Sequence, residues 1–123
     1  MENRAFYPEK MQPPLGVYAH GVEIPEDAKL TFVAGQVGMD FDGNVPDSFD
    51  AQAVNAWENC LVSDVVKITH FITDAKNLPA YNAIRGEYLG ENRPASTLLI
   101  VAGLADPRFL VEVEMIAAST RKG

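Results

Sequence analysis

The chain is 123 residues long with 47% hydrophobic and 22% charged residues, which fits one globular domain with a single core and excludes a disordered or fibrous protein. Its net charge of −7, with ten Lys and Arg residues and no basic run, repels phosphate backbones, so no nucleic-acid partner is expected. Cys60 is the only cysteine and His20 and His70 the only histidines, which leaves no internal disulfide and no structural metal set; no apolar run approaches the ~18 residues of a membrane span and Met1-Glu2-Asn3-Arg4 leads into no signal region, so a cytoplasmic location is expected.

After a Pro-rich entry ending at Pro13-Pro14, Gly16 to Ile24 reads as a strand and Pro25-Glu26-Asp27 as a turn. Leu30 to Gly35 is β-branched and aromatic, the mark of a second strand, and Asp42-Gly43 predicts a tight turn. Asp47 or Ser48 can cap a helix whose Phe49, Ala53, Ala56, Trp57 and Cys60 recur on one face, a stripe that predicts core. Val65 to Thr73 alternates as a strand. Asn77 and Pro79 open a second helix with the apolar line Leu78, Tyr81, Ile84 and Tyr88, and Gly90 ends it. Thr97 to Val101 and Leu110 to Ala118 supply two more strands. The order predicts one α+β domain over residues 1–123, with two helices on one sheet.

Leu98, Leu99, Ile100 and Val101 are apolar at both parities, so this strand should be buried on both faces. Two short helices cover only one. The other face, including some of Val111, Val113 and Met115, is expected to pack against a partner subunit. From Cys60 to Val65 a helix must reverse into a strand through Leu61-Val62-Ser63-Asp64, which holds no Gly or Pro. That spacing predicts either a shortened helix or residues missing between Cys60 and Asp64.

Leu15-Gly16-Val17-Tyr18-Ala19-His20 resembles the opening Ile-Gly-Pro-Tyr-Ser-Gln motif of the RidA family, also called YjgF or L-PSP proteins. Phe32-Val33-Ala34-Gly35-Gln36-Val37 resembles its strand ending in Ser-Gly-Gln-Ile, and Asp64 to Thr69 with Phe71 to Asp74 resembles its central strand. Asn82, Tyr88, Pro94-Ala95 and Val111 to Ala117 follow in the family's order. The resemblance implies a chorismate-mutase-like fold with a single mixed sheet, assembled as a homotrimer with ligand clefts between subunits. It implies no cofactor, and it includes an Ala-Gly turn after the first helix that this chain lacks.

Studied members of that family hydrolyse enamines and imines to 2-keto acids and ammonia. Their arginine after Pro-Ala forks onto the substrate carboxylate, a geometry suited to guanidinium. Here Ser96 stands in that place, and Arg93 and Arg108 are the nearby arginines considered as substitutes. By resemblance Glu112 matches the carboxylate that orients or activates water, whereas spacing alone reads Glu112 and Glu114 as the solvated side of an edge strand. Tyr18, Gly35, Gln36, Tyr88 and Ser96 are the resemblance's substrate-binding positions. His20, His70 and Cys60 read as structural.

The expected function is therefore a small-molecule hydrolase acting on an imine, enamine or related metabolite, distinct from the standard 2-imino acid deaminase because Ser96 replaces the arginine. A pocket with Glu112 and no arginine should prefer neutral or cationic ligands. The alternatives are a non-catalytic trimeric metabolite binder and the ribonuclease or translation-inhibitor role by which some members were first named.

Overall fold

Strand parity decides which side of the sheet is covered. The computed structural model describes residues 2–60 and 63–119. In chain order these form β1 (Arg4–Phe6), β2 (Gly21–Glu23), β3 (Lys29–Val37), α1 (Phe49–Asn59), β4 (Val65–Ile72), α2 (Leu78–Leu89), β5 (Ala95–Ile100) and β6 (Val111–Ser119). The main sheet has the order β3-β6-β4-β5, with β4 and β5 parallel and the other pairings antiparallel. The fold is thus a mixed α+β sandwich with one main sheet and two helices. β1 and β2 add a small antiparallel ribbon outside that sheet.

Most of the expected elements lie within two residues of their predicted ends, the second strand running two residues past Gly35 to Val37. The exception is the strand read from Gly16 to Ile24, of which only Gly21–Glu23 is formed, while Ala19 makes an isolated parallel bridge to Ala95. Ser48 rather than Asp47 caps α1, its Oγ accepting from the Ala51 backbone N–H at 3.2 Å. A 3-10 turn at Ala75–Asn77, capped by Asp74, leads into α2. Gly43 has a φ of +85°, a value that glycine adopts without strain, and makes the predicted turn beside the Asp40 side chain.

Ile68, His70 and Ile72 on β4 and Val111, Val113 and Met115 on β6 are buried against the helices. They meet Phe49, Ala53, Ala56, Trp57 and Cys60 of the α1 stripe, together with Tyr81 and Leu89 of α2. Val111, Val113 and Met115 therefore belong to the covered face, correcting their expected place towards a partner. The open face of β6 carries Glu112, Glu114 and Ile116 instead. β6 is also an interior strand, between β3 and β4, rather than an edge.

β5 is an edge strand, and burial on both of its faces is not achieved within one copy. Leu99 is 42% exposed and Ile100 47%. Phe32 on β3, at 70%, adds to the uncovered apolar surface. The connection from α1 to β4 begins in residues 61–62, outside the described residues, where the expectation of a missing segment also falls. Its last residue, Asp64, has a φ of +62°, so a non-glycine residue takes up the left-handed turn into β4.

Candidate functional site

Apart from Tyr88, the expected site residues fall into two groups on opposite faces of the sheet. On the open face, β3 carries an irregularity between Val33 and Gln36 where it pairs with β6. There the Glu112 side chain lies directly over Gly35, so closely that a Cβ on residue 35 would collide with the carboxylate. Glycine is needed for this approach. Gln36 follows, its Nε2 donating to the Ala34 carbonyl at 3.0 Å. Gly35 and Glu112 are thus brought together, with Gln36 next in the strand. Beside them a depression of about 340 Å³ is lined by Phe32, Ala34, Lys67, Thr69, Glu114 and Ile116.

Ser96 leaves the sheet on the helix-covered face. In the parallel register β5 places Ser96 opposite Ile68, and its Oγ lies 2.8 Å from His70 Nε2. His70 Nδ1 is hydrogen-bonded to the Tyr81 hydroxyl, which also accepts from Trp57 Nε1 at 3.2 Å. Burial, followed by the charges of Arg85 and Lys67, lowers His70 from 6.5 to about 3, so the ring is neutral. Burial pushes Tyr81 well above the usual tyrosine range.

His70 therefore has a serine partner that spacing along the chain did not show. The cross-strand register creates it, and the alternation of β4 with β5 was the only available signal. Arg85 was also missed. Its guanidinium carbon lies 5.8 Å from the Tyr81 ring centroid, its Nη2 donates to Asn82 Oδ1 at 2.8 Å, and the residue is only 8% exposed. Tyr18 stands near it, and a Cβ on Gly16 would be 3.5 Å from Arg85 Nη2 and 3.8 Å from the Tyr18 ring. The Tyr18 hydroxyl accepts from the Leu15 backbone N–H at 3.2 Å.

Tyr88 stands apart from both groups. Its hydroxyl donates to Glu58 Oε2 at 2.7 Å and its ring stacks on Trp57 at 5.5 Å, tying α2 to α1. The Glu58 hydrogen bond raises this tyrosine to about 12. The two arginines weighed as replacements make local contacts in this copy. Arg93 donates to the Gly90 and Asn92 carbonyls, and Arg108 is paired with Asp106 at 3.0 Å. Cys60 is buried in the core, its thiol raised to about 12 by burial. His20 bonds to the Gln12 carbonyl at 2.7 Å. Among the described residues no three His, Cys, Asp or Glu side chains converge to hold a metal, and no helix is long and apolar enough to cross a membrane.

A mixed sheet with two helices on one face and a carboxylate over a strand glycine on the other defines a YjgF-type fold. Residues 9–119 match the family model described as endoribonuclease L-PSP, and the chain belongs to that family, the RidA/YjgF proteins. It is 28% identical over 128 residues to a RutC family protein of Pyrococcus abyssi, covering 95% of this chain and 98% of the relative. The crystal structure of YyfB from Yersinia pestis, described as a Rid family protein of unknown function, superposes with a TM-score of 0.83 at 28% identity, covering 97% of this chain and 100% of that one. The YjgF gene product of E. coli gives 0.66 at 27% identity, covering 93% and 97%.

Proposed function

We propose that this chain hydrolyses a C=N bond in a small imine, enamine or related metabolite, in a cleft completed by a second copy of itself. The observation that carries this reading is the Glu112 carboxylate held over Gly35 and beside Gln36 on an open sheet face. A carboxylate in that position can take a proton from water as the water oxygen attacks the imine carbon. The nitrogen gains protons, the C–N bond of the resulting carbinolamine breaks, and ammonia leaves as the carbonyl forms. One water is consumed and no electrons are exchanged, so the stoichiometry requires no cofactor.

Glu112 and Ser96 leave opposite faces of one copy's sheet. A ligand in contact with both needs them from different copies, which a homotrimer burying Phe32 and Leu99 would provide. The test is ammonia release from a freshly generated imine by the protein and by its Glu112→Gln variant. Release should exceed that in buffer and fall about 10²- to 10⁴-fold in the variant. Release no faster than in buffer alone, or unaffected by the substitution, overturns the reading. Ser96 at the position of the family arginine favours a second reading, a trimeric metabolite binder without turnover. Its signature is a ligand that raises the melting temperature while ammonia does not appear.

A further inference from the structure

Gln52 on α1 is a buried amide that spends its hydrogen bonds on backbone alone. It is 1% exposed, its Nε2 donates at 2.8 Å to both the Pro46 and the Arg108 carbonyls, and its Oε1 accepts from the Leu110 backbone N–H at 2.9 Å. Carbonyls only accept and a backbone N–H only donates, so these partners fix which end of the amide is oxygen and which is nitrogen. The side chain thereby ties the loop before α1 to the loop before β6.

Both strands that meet at Gly35 and Glu112 are moored to this helix. Leu110 is held on its carbonyl side as well, by the Thr73 backbone N–H at 3.2 Å, and Val111 after it is fully buried, so the backbone that delivers Glu112 is fixed two residues earlier. On the β3 side, Gly38 lies so close to α1 that a Cβ there would collide with the Gln52 backbone. Asn55 and Asn59 follow Gln52 at helical spacing and donate to the carbonyls of Gly38 and of Val37 and Met39 at 3.0–3.2 Å. The exit of β3 after Gly35 and the entry of β6 before Glu112 are thus both fastened to α1, and Gln52 holds the second.

We infer that Gln52 is a positioning residue for Glu112. Gln52 lies on the helix side of the sheet and the Glu112 carboxylate on the open side, so it acts through the backbone and touches no ligand. The connection from β5 to β6, residues 101–110, has no helix or strand of its own, and a side chain supplies the bonds that regular structure would. Without that amide the Leu110 N–H and the Pro46 and Arg108 carbonyls lose their shared partner, and the start of β6 is released from the end of β3. Misplacing a reacting group by about 1 Å lowers a rate on the order of a hundredfold. The inference rests on the reading of Glu112 as the base, but amide exchange measures the positioning without turnover, so either can fail without the other.

The test is residue-resolved amide hydrogen exchange in the full chain and in Gln52→Met, which keeps the side chain's length and removes its hydrogen bonds. Exchange at Gln36, Val37, Glu112 and Val113 should rise about tenfold more than at Leu30, Thr31, Ala117 and Ala118, the far end of the same two strands. Ile68→Ala, a core truncation at mid-sheet, should raise both ends alike. In a protein that releases ammonia, Gln52→Met should also lower kcat about 10²-fold, at a temperature where the variant is folded, with KM little changed. A glutamine that only stabilises the fold would raise exchange uniformly and leave kcat intact. That result, or a near-end rise just as large in Ile68→Ala, overturns the inference. Should Gln52→Met fail to fold, the Leu110 amide of the unmodified protein decides: protection supports the clamp, and free exchange overturns it. A near-end rise in a protein that releases no ammonia defeats the imine reading and leaves the hold of Gln52 on Glu112 standing.

Discussion

The two faces of the central sheet carry their polar groups in different ways. Under the helices His70 is fully buried, bonded at both ring nitrogens, and connected through Tyr81 to Trp57. On the open face Lys67, Thr69, Glu112 and Glu114 share space with Phe32, Phe71 and Ile116, and Lys67 reaches Thr97 at 2.8 Å in an exposed hydrogen bond. Substitutions on the covered face should therefore be felt in folding, and those on the open face in assembly and chemistry.

The largest expected effect is Ile72→Ala, which empties a fully buried site in the core and should cost about 2–5 kcal/mol in denaturant unfolding. A loss below about 1 kcal/mol would show that the helices do not seal this face. Tyr81→Phe comes next. It leaves His70 Nδ1 and Trp57 Nε1 without their shared partner and should cost about 1–3 kcal/mol. An unchanged midpoint would mean the chain of hydrogen bonds is not formed.

Acidity separates the faces further. His70 titrates at about 3 when folded, against an ordinary 6.5, so the unfolded chain binds a proton that the folded one refuses. Its contribution is complete above pH ~6.5 and is lost as pH falls towards 3, with a slope approaching ~1.4 kcal/mol per pH unit. The interval from pH 6.5 to 5 reports this histidine before most carboxylates titrate, and His70→Leu should flatten it. The smallest effect is on the open face. Lys67→Met should change stability by less than ~0.5 kcal/mol, and a loss like that of Tyr81→Phe would erase the distinction between the faces.

The core was legible because its signal is local. Phe49, Ala53, Ala56, Trp57 and Cys60 lie on one helical face whatever surrounds them, and all are buried. The proposed site residues Gly35, Gln36 and Glu112 were named only through resemblance, since spacing along β6 placed Glu112 on an edge strand, whereas β6 is interior. The partner-facing residues of β6 were assigned to the wrong parity because Val111, Val113 and Met115 look equally suited to either side of a sheet. The Ser96–His70 pair was hidden because 26 residues separate its members and only the parallel pairing of β4 with β5 joins them. Arg85 on a predicted helix reads as an ordinary solvated charge until the packing against Tyr81 is known.

The central claim is that the covered face of one copy and the open face of another serve one ligand. Co-assembly of Glu112→Gln chains with chains in which Ser96→Phe blocks the covered-face side, purified through two different tags, tests it most directly. Each variant alone should be inactive in ammonia release, and the mixed assembly should recover part of the original rate, because some clefts then pair an unblocked Ser96 with an intact Glu112. A mixed assembly as inactive as its parents would place both residues in a site within one copy and contradict the account.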